Sequence, residues 1–398
     1  MTRVEVYSSC LQKISNNGCL LLEAATGLGK SKISIDLINH IVETRYHDKT
    51  SMLLLVAKNV HKQTWKDEFA KWGGIKVDNV VIECYESLRK HAGETFDFVL
   101  MDEVHHIKSE TRLELLQTLH FTYMFGLSAT IPKKLKQWFS WKYKSAIVSC
   151  DIIEAIEDDV LPEPEIVLWP LSLEMHRKSE TIVINPKVKS PVVEIDYKDR
   201  WKYKKRKDIR AIVHCTQQQK MLELNSQIEW MKSLYMRTRS KQKEQSWLYL
   251  CGKRLEFFAD CKLEIIKLLL RKLKNSRTIT FCKTIKQSEA LGLNCIHSQN
   301  KKATDIYDKF NQKKIHHITA VNILNENANL VDCKYAIFAN LSSSEVVIPQ
   351  RLGRAMRHKK PVIIVPYYAG TREEEIVKKM FQDYNKEFIR TIKNMEEL

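Results

Sequence analysis

The sequence has no apolar run of about eighteen residues, the length that a membrane-spanning helix requires. Its first residues, Met1 to Glu5, lack the apolar stretch of a secretory signal. We therefore expect a cytoplasmic protein with no membrane partner.

The sequence also lacks any C-x-x-C pair, although it contains ten cysteines. Its thirteen histidines show no metal-ligand spacing with those cysteines. The cysteines lie singly in apolar surroundings, as Cys84 and Cys282 illustrate. This pattern predicts reduced, mostly buried thiols and excludes a disulfide framework or a zinc module.

A chain of 398 residues with 44% hydrophobic residues can fill the cores of two domains. Its formal net charge of +17 favours a polyanionic partner, and the alternative is a generically basic surface. Charge alone does not separate DNA from RNA, or either from an anionic membrane surface.

The pattern of residues 19–31 predicts a strand, a glycine loop and the start of a helix. Such a loop aims backbone N–H groups and a helix N-terminus at a phosphate chain. Lys30 would reach the β- and γ-phosphates, and the hydroxyl of Ser31 would contact Mg²⁺. The predicted ATP-binding residues here are Ala25, Thr26, Gly27, Leu28, Gly29, Lys30 and Ser31. The alternative is a chance glycine turn before a helix.

A second apolar strand, residues 96–101, ends in Asp102 and Glu103. Carboxylates at a buried strand end are costly unless they have partners or chemistry to perform. We predict that Asp102 holds Mg²⁺ and that Glu103 orients and deprotonates the attacking water. A solvated loop is the alternative for this pair taken alone.

Near the C-terminus, residues 350–357 place Arg354 and Arg357 three positions apart, on one side of a helical turn. Their guanidinium groups, reaching across a cleft, would neutralise charge that develops on the γ-phosphate. Gln350 completes the predicted catalytic set. The alternative is an ordinary surface pair of arginines.

Residues 24–31, 102–105, 128–130 and 350–357 resemble motifs I, II, III and VI of the superfamily 2 helicases and translocases, in particular the DExH type. Ala24 stands where the usual motif I begins with Gly. The resemblance implies that His105, Ser128 and Thr130 couple ATP hydrolysis to movement. Gln12 is too close to Lys30 to be assigned as the adenine-reading glutamine of this family.

Four further segments resemble motifs Ia, Ib, IV and V of the same family. By resemblance they contact nucleic acid through Lys58, Asn59, Tyr85, Ser87, Cys282, Lys283 and Asn322. Motif V departs from its usual form at Val321 and Asn327, and Asn329 in it is assigned to the nucleotide. We predict core packing, rather than base stacking, for Trp65 and Phe69 in the motif Ia segment.

Alternating strands and helices predict an α/β protein with mainly parallel sheets. The resemblance implies two tandem RecA-like domains, residues 1–160 and 161–398, divided by a proline-marked break near residue 160. A basic, mostly helical insertion is expected over residues 174–255, including basic runs at 202–207 and 237–243. A charged helix is predicted over residues 371–394.

The expected function is an ATP-dependent DNA helicase that uses ATP and Mg²⁺ on duplex, forked or branched DNA, including replication or recombination intermediates. The motifs resemble those of phage or viral branched-DNA helicases and type III restriction-subunit-like ATPases, so the host cytoplasm is expected if a phage or virus encodes the chain. The alternatives are a double-stranded-DNA translocase without unwinding and an RNA helicase. A binding module with an inactive ATPase is disfavoured. The sequence leaves protein partners open.

Overall fold

The computed structural model describes residues 1–46, 48–292, 294–321, 330–341 and 358–398. Five predicted site residues lie outside these ranges: Asn322, Asn329, Gln350, Arg354 and Arg357. Their predicted roles therefore stay predictions.

The first half of the chain forms a six-stranded parallel sheet of order β3-β2-β4-β5-β1-β6. The central strands consist of buried apolar residues, as parallel strands covered on both faces require. The strands are β1 (Cys19–Ala24), β2 (Ser51–Val56), β3 (Asn79–Cys84), β4 (Thr95–Asp102), β5 (His120–Ser128) and β6 (Ala146–Cys150).

Helices cover both faces of this sheet and enclose two apolar cores. The helix between β1 and β2 buries Ile33, Leu37, Ile38 and Ile41, the positions that its sequence period predicts. The helices are α1 (Arg3–Asn17), α2 (Lys30–Arg45), α3 (Asn59–Lys71), α4 (Glu110–Thr118), α5 (Lys133–Tyr143) and α6 (Ile152–Glu157).

The second half of the chain forms a seven-stranded parallel sheet of order β12-β13-β11-β14-β15-β7-β16. Its strands are β7 (Glu165–Leu171), β11 (Thr278–Phe281), β12 (Cys295–Ile296), β13 (His317–Ala320), β14 (Tyr335–Phe338), β15 (Val362–Tyr368) and β16 (Ile389–Thr391). Helices α10 (Leu263–Lys272), α11 (Ile285–Leu291), α12 (Ala303–Asn311) and α13 (Arg372–Met380) accompany it. The two halves of the chain are thus α/β units, each built on a parallel sheet, and they confirm the predicted fold class of two tandem RecA-like domains.

The final helix is shorter than predicted, because α13 ends at Met380 rather than continuing to residue 394. The chain after it returns to the sheet, where β16 pairs with β7. The side chains of Phe381 and Tyr384 pack on the core of the second sheet, so the chain turns inward there.

The expected insertion contains a small sheet that its sequence did not predict. Strands β8 (Glu180–Ile184), β10 (Arg210–Cys215) and β9 (Val192–Asp196) form it, and a short helix, α7 (Arg200–Lys204), follows β9. Two long helices, α8 (Gln217–Thr238) and α9 (Lys241–Cys261), then form a hairpin. The expectation of a mostly helical insertion was therefore incomplete.

All ten cysteines are free thiols, and eight of them are buried. Over the described ranges, no helix is long and apolar enough to cross a bilayer. The same ranges contain no cluster of three or more His, Cys, Asp or Glu side chains suited to a metal ion.

Candidate nucleotide-binding and catalytic site

The glycine loop lies between β1 and α2, as predicted. Gly27 and Gly29 have φ angles of 107° and 96°, in the left-handed region that glycine tolerates. Gly29 is the N-cap of α2 and supplies no side-chain acceptor, so the first N–H groups of the helix face the loop uncapped. This geometry suits an anionic phosphate chain. The Lys30 Nζ donates a hydrogen bond to the Ala24 carbonyl at 2.9 Å, across the loop.

Arg3 of helix α1 lies against the same loop, which the sequence did not indicate. Its Nε donates to the Leu28 carbonyl at 2.8 Å. A Cβ atom placed on Gly29 would lie 2.8 Å from that Nε. Arg3 therefore bonds to the loop beside Gly29, and the φ of 96° at that position favours glycine.

Asp102 ends strand β4 at the carboxyl edge of the first sheet and is 7% exposed. Two aromatic side chains bond to it. The Trp65 Nε1 donates to the carboxylate Oδ2 at 2.8 Å, and the Tyr85 hydroxyl donates to the Asp102 carbonyl at 2.9 Å. Burial and the nearby carboxylates of Asp102 and Glu103 raise the pKa of Tyr85, so its hydroxyl keeps the donated proton. The bond from Trp65 fixes the direction of the Asp102 carboxylate, and the bond from Tyr85 holds the backbone of the same residue.

Glu103 follows with a left-handed backbone, φ 50°, and a 4% exposed side chain. The Ser128 hydroxyl lies 3.0 Å from the Glu103 Oε2 and 3.0 Å from the His105 Nδ1. The His105 Nδ1 is 3.4 Å from the same Oε2. These three side chains, the Glu103 cluster, join the predicted motif II segment to the predicted motif III segment.

The Glu103 cluster also sets the charge of its carboxylate. Burial acts to raise the pKa of Glu103. The hydrogen bond from His105, the positive charge of Lys30 and the Ser128 hydroxyl outweigh burial, and the pKa lies below its ordinary value. Glu103 is therefore an ionised hydrogen-bond acceptor at neutral pH, the form that a base toward water needs.

Glu23, at the carboxyl end of β1, links the glycine loop to the segment after β5. Its Oε1 accepts a hydrogen bond from the Ile131 backbone N–H at 2.7 Å, and its Oε2 pairs with the Lys136 ammonium. Ser128 is the register partner of Glu23 across β1 and β5. The sequence did not assign Glu23 a role, since a lone Glu before a loop carries no distinctive signal.

The predicted nucleic-acid contacts divide by exposure. Lys58 and Asn59 are exposed at the N-terminus of α3, and Ser87 and Lys283 are partly exposed. Tyr85 is 1% exposed and Cys282 fully buried, so neither side chain can meet a ligand at the surface. Both assignments are corrected: Tyr85 bonds inward to Asp102, and the Cys282 thiol donates to the Thr280 carbonyl.

The donor set fits the expected nucleotide and metal. The Ser31 hydroxyl and the Asp102 carboxylate are the hard oxygen ligands that Mg²⁺ prefers, and Mg²⁺ commonly takes one or two carboxylates together with substrate phosphates. Thr26 to Ser31 supply the phosphate-facing backbone on the same edge of the sheet.

Two family models match the chain. The model described as "Type III restriction enzyme, res subunit" matches residues 3–133, and "Helicase conserved C-terminal domain" matches residues 261–359. No curated protein matches the sequence.

Two solved structures share the fold. S. cerevisiae Dbp5 bound to RNA and ADP BeF3 is 11% identical, with a TM-score of 0.59, and the match covers 99% of this chain and 90% of that chain. The ATP-dependent type ISP restriction-modification enzyme LlaBIII bound to DNA is 13% identical, with a TM-score of 0.53, and the match covers 99% of this chain and 31% of that chain. At these identities the likeness concerns the fold alone.

The two family matches fall on the two parallel-sheet halves, and the glycine loop and the Glu103 cluster lie within the first of them. The first half of the chain therefore matches the res subunit of type III restriction enzymes and the second half matches the C-terminal domain of helicases, and together these matches support a superfamily 2 nucleic-acid-dependent ATPase of the helicase type.

Proposed function

We propose that the chain is an ATP-dependent DNA helicase that acts on forked or branched DNA. The observation that carries this proposal is the Glu103 cluster: an ionised, buried carboxylate bonded to motif III at the edge of the sheet that holds the glycine loop. A nucleotide pocket alone would not need that bond to motif III.

In this proposal residues 1–160 and 161–398 are the two domains of the motor. Residues 25–31 hold the phosphates, with Lys30 at the β- and γ-phosphates. Ser31 and Asp102 hold Mg²⁺, which when bound neutralises phosphate charge. Glu103 accepts a proton from the attacking water, and Gln350, Arg354 and Arg357 complete the site from the second domain, with Asn329 at the nucleotide.

DNA is favoured over RNA by one observation: the first half of the chain matches the res-subunit family of restriction enzymes. The solved structures do not separate the two, because LlaBIII was solved bound to DNA and Dbp5 to RNA, so RNA is the competing substrate. Lys58, Asn59, Ser87 and Lys283 would contact the backbone of either nucleic acid.

ATPase assays with single-stranded, duplex and forked DNA and with RNA test the substrate. We expect forked DNA to stimulate hydrolysis most and to be unwound. Stimulation by duplex DNA without unwinding would instead indicate a translocase, and stimulation by RNA alone an RNA helicase. Absence of stimulation by every nucleic acid would refute the motor.

Lys30→Ala and Glu103→Gln test the site. Each should abolish ATP turnover, because the first removes the phosphate contact and the second removes the base. Lys32→Ala is the matched control for Lys30, since Lys32 lies two residues further on and pairs with Asp36 instead. Near-normal turnover in Lys30→Ala would contradict the assignment.

A further inference from the structure

The segment expected as an insertion carries most of the charge excess of the chain. Residues 174–255 contain 20 Lys and Arg against 9 Asp and Glu, a net charge of +11 within the +17 of the whole chain. The two basic runs inside this segment have different surroundings, and this difference locates a binding surface.

Three of the five cations in the basic run at 202–207 form ion pairs within the protein. Lys202 pairs with Asp199 at 3.0 Å, Lys204 with the buried Glu223 at 2.5 Å, and Arg206 with Asp208 at 3.0 Å. These three positive charges are already balanced. In the described ranges this run therefore keeps two cations without a carboxylate, Lys205 and Lys207, against four at residues 237–243.

The basic run at 237–243 lies instead at the tip of a projecting helical arm, residues 229–256 of the α8–α9 hairpin. None of the residues 229–256 is buried. The base of the hairpin is anchored by Met221, Phe257 and Phe258 in a core of the second sheet. Ten residues of helix beyond that base extend roughly 15 Å.

Across the described ranges, no carboxylate lies within ion-pair distance of the four cations at the tip, which are Arg237, Arg239, Lys241 and Lys243. Arg239 instead stacks 5.8 Å from the centroid of the Tyr235 ring. The arm also exposes Trp230 by 62% and Tyr249 by 64%. Unbalanced positive charge beside exposed aromatic rings suits phosphates and stacked bases.

We propose that the helical arm is a DNA-binding surface on which Arg237, Lys241 and Lys243 contact backbone phosphates. Trp230 and Tyr249 offer flat faces to unpaired bases near a fork. This inference rests on the proposed function, because it takes DNA as the partner. It assigns a role to the arm that neither family model covers, since their matches end at residue 133 and begin at residue 261.

The test is the salt dependence of binding to fluorescein-labelled forked DNA, measured by anisotropy between about 50 and 200 mM NaCl. The arm variant is Arg237→Ala/Lys241→Ala/Lys243→Ala. The matched control, Lys202→Ala/Lys205→Ala/Arg206→Ala, removes the same number of charges from the other basic run. Loss of three phosphate contacts should flatten the log–log salt slope by about 2.7 and weaken binding at least about tenfold at the lowest salt, with little change in the control.

Each outcome decides a separate point. Failure of the wild-type protein to bind forked DNA would refute the proposed function. Binding by the wild type with an unchanged slope in the arm variant, or equal losses in both variants, would refute the arm as the DNA surface. If the arm variant lost binding only to a single-stranded RNA of equal length, and kept its binding to forked DNA, DNA would be refuted as the ligand of the helical arm.

A second, independent observation concerns how DNA at the first domain acts on the ATP site. The exposed Lys58 and Asn59 begin the same helix, α3, whose Trp65 is bonded to the Asp102 carboxylate. Tyr85 begins the motif Ib segment and bonds to the Asp102 carbonyl. Each of these two predicted DNA-contacting segments therefore contributes one buried aromatic side chain that donates a hydrogen bond to Asp102.

We infer that Trp65 and Tyr85 are positioning residues that couple DNA binding to the metal-holding carboxylate of Asp102. DNA that shifts the start of α3 or the motif Ib turn would reorient Asp102 through these hydrogen bonds. Trp65→Phe and Tyr85→Phe each remove the donor and keep an aromatic ring in the core.

The readout is an equilibrium coupling. The affinity of the protein for Mg²⁺ and mant-ADP is measured by fluorescence with and without forked DNA, and the ratio of the two affinities is the coupling factor. We expect a factor of about five or more in the wild type and a factor near one in both variants. Trp138→Phe is the folding control, because Trp138 of helix α5 packs on the same apolar core as Tyr85. A wild-type factor near one would refute coupling itself, and an unchanged factor in both variants would refute these two residues as its carriers.

Discussion

The Ser128 hydroxyl lies 3.0 Å from the Glu103 carboxylate, although 25 residues separate them in the chain. Strand β5 makes this contact unavoidable, because it lies between β1 and β4 and ends beside both of them. The carboxylate that we propose as the base toward water is thus bonded to the segment that the family resemblance connects with movement.

Ser128→Ala should separate hydrolysis from unwinding. The variant loses one hydrogen bond to a charged group, worth about 1.5–3 kcal/mol, while Glu103 keeps its contact with His105. We expect DNA-stimulated ATPase to persist at a reduced rate and the number of base pairs unwound per ATP to fall several-fold. Ser109→Ala, an exposed site, serves as the control, and parallel losses of both activities would show that Ser128 has no specific role in coupling.

The pH profile of the ATPase should respond to His105. The pKa of Glu103 is depressed, so its ionised form persists as pH falls below the ordinary value of 4.5, and its contribution to stability is lost only below that pH. Burial is the largest influence on the pKa of Glu103 and raises it, whereas the hydrogen bond from His105 lowers it. His105→Ala removes that hydrogen bond, so the pKa of Glu103 should rise. The acidic limb of the kcat profile should therefore move to higher pH, whereas His105→Gln, which keeps a donor, should move it less. An unmoved limb would show that another group titrates there.

Gly29→Ala should weaken nucleotide binding. Its φ of 96° strains any other residue, and a Cβ atom there would lie 2.8 Å from the Arg3 Nε. Gly93→Ala is a matched control, because Gly93 also has a positive φ, 81°, but has nothing within 4 Å of a Cβ position and lies away from the loop. We expect at least a tenfold (about 1.4 kcal/mol) loss of mant-ADP affinity for position 29 only. Equal affinity in the two variants would contradict the tight loop.

Breaking the buried pair between Lys262 and Glu373 by removing one partner should destabilise the second domain strongly. Their side chains are 0% and 1% exposed and meet at 2.6 Å. Lys262→Met leaves Glu373 charged and unpaired, at a cost of about 3–5 kcal/mol. Lys262→Met/Glu373→Gln should recover much of that loss, because an amide oxygen can still accept from the Tyr368 N–H.

Urea denaturation followed by circular dichroism measures this effect. The exposed Lys267–Glu264 pair gives the control, since breaking it should leave the unfolding midpoint unchanged. A double variant no more stable than Lys262→Met would show that the charge of Glu373 is not the source of the loss.

The sequence predicted the elements of the site far better than the contacts between them. Strand ends at residues 102 and 128 and the glycine loop follow from local patterns of apolar runs and breaks. The sequence did not indicate the hydrogen bonds of Arg3, Glu23 and Trp65, because their partners lie 25, 108 and 37 residues away. Trp65 does pack in the core as predicted, but its indole N–H also reaches Asp102.

Tyr85 and the small sheet show the limits of local patterns in another way. A tyrosine after a strand looks exposed in sequence, and only the fold reveals that its hydroxyl reaches a buried carbonyl. Strands β8 and β9 are short, half-exposed and surrounded by charged residues, so they lack the continuous apolar run that identified the central strands.

The helical arm has a consequence for how the chain can vary. Because none of residues 229–256 is fully buried, we expect that whole turns can be added to or removed from both helices without disturbing the core at Phe257 and Phe258. The reach of the arm is then adjustable in length while the machinery for hydrolysis stays untouched. Related chains could differ in the geometry of the junctions they engage through this one hairpin alone.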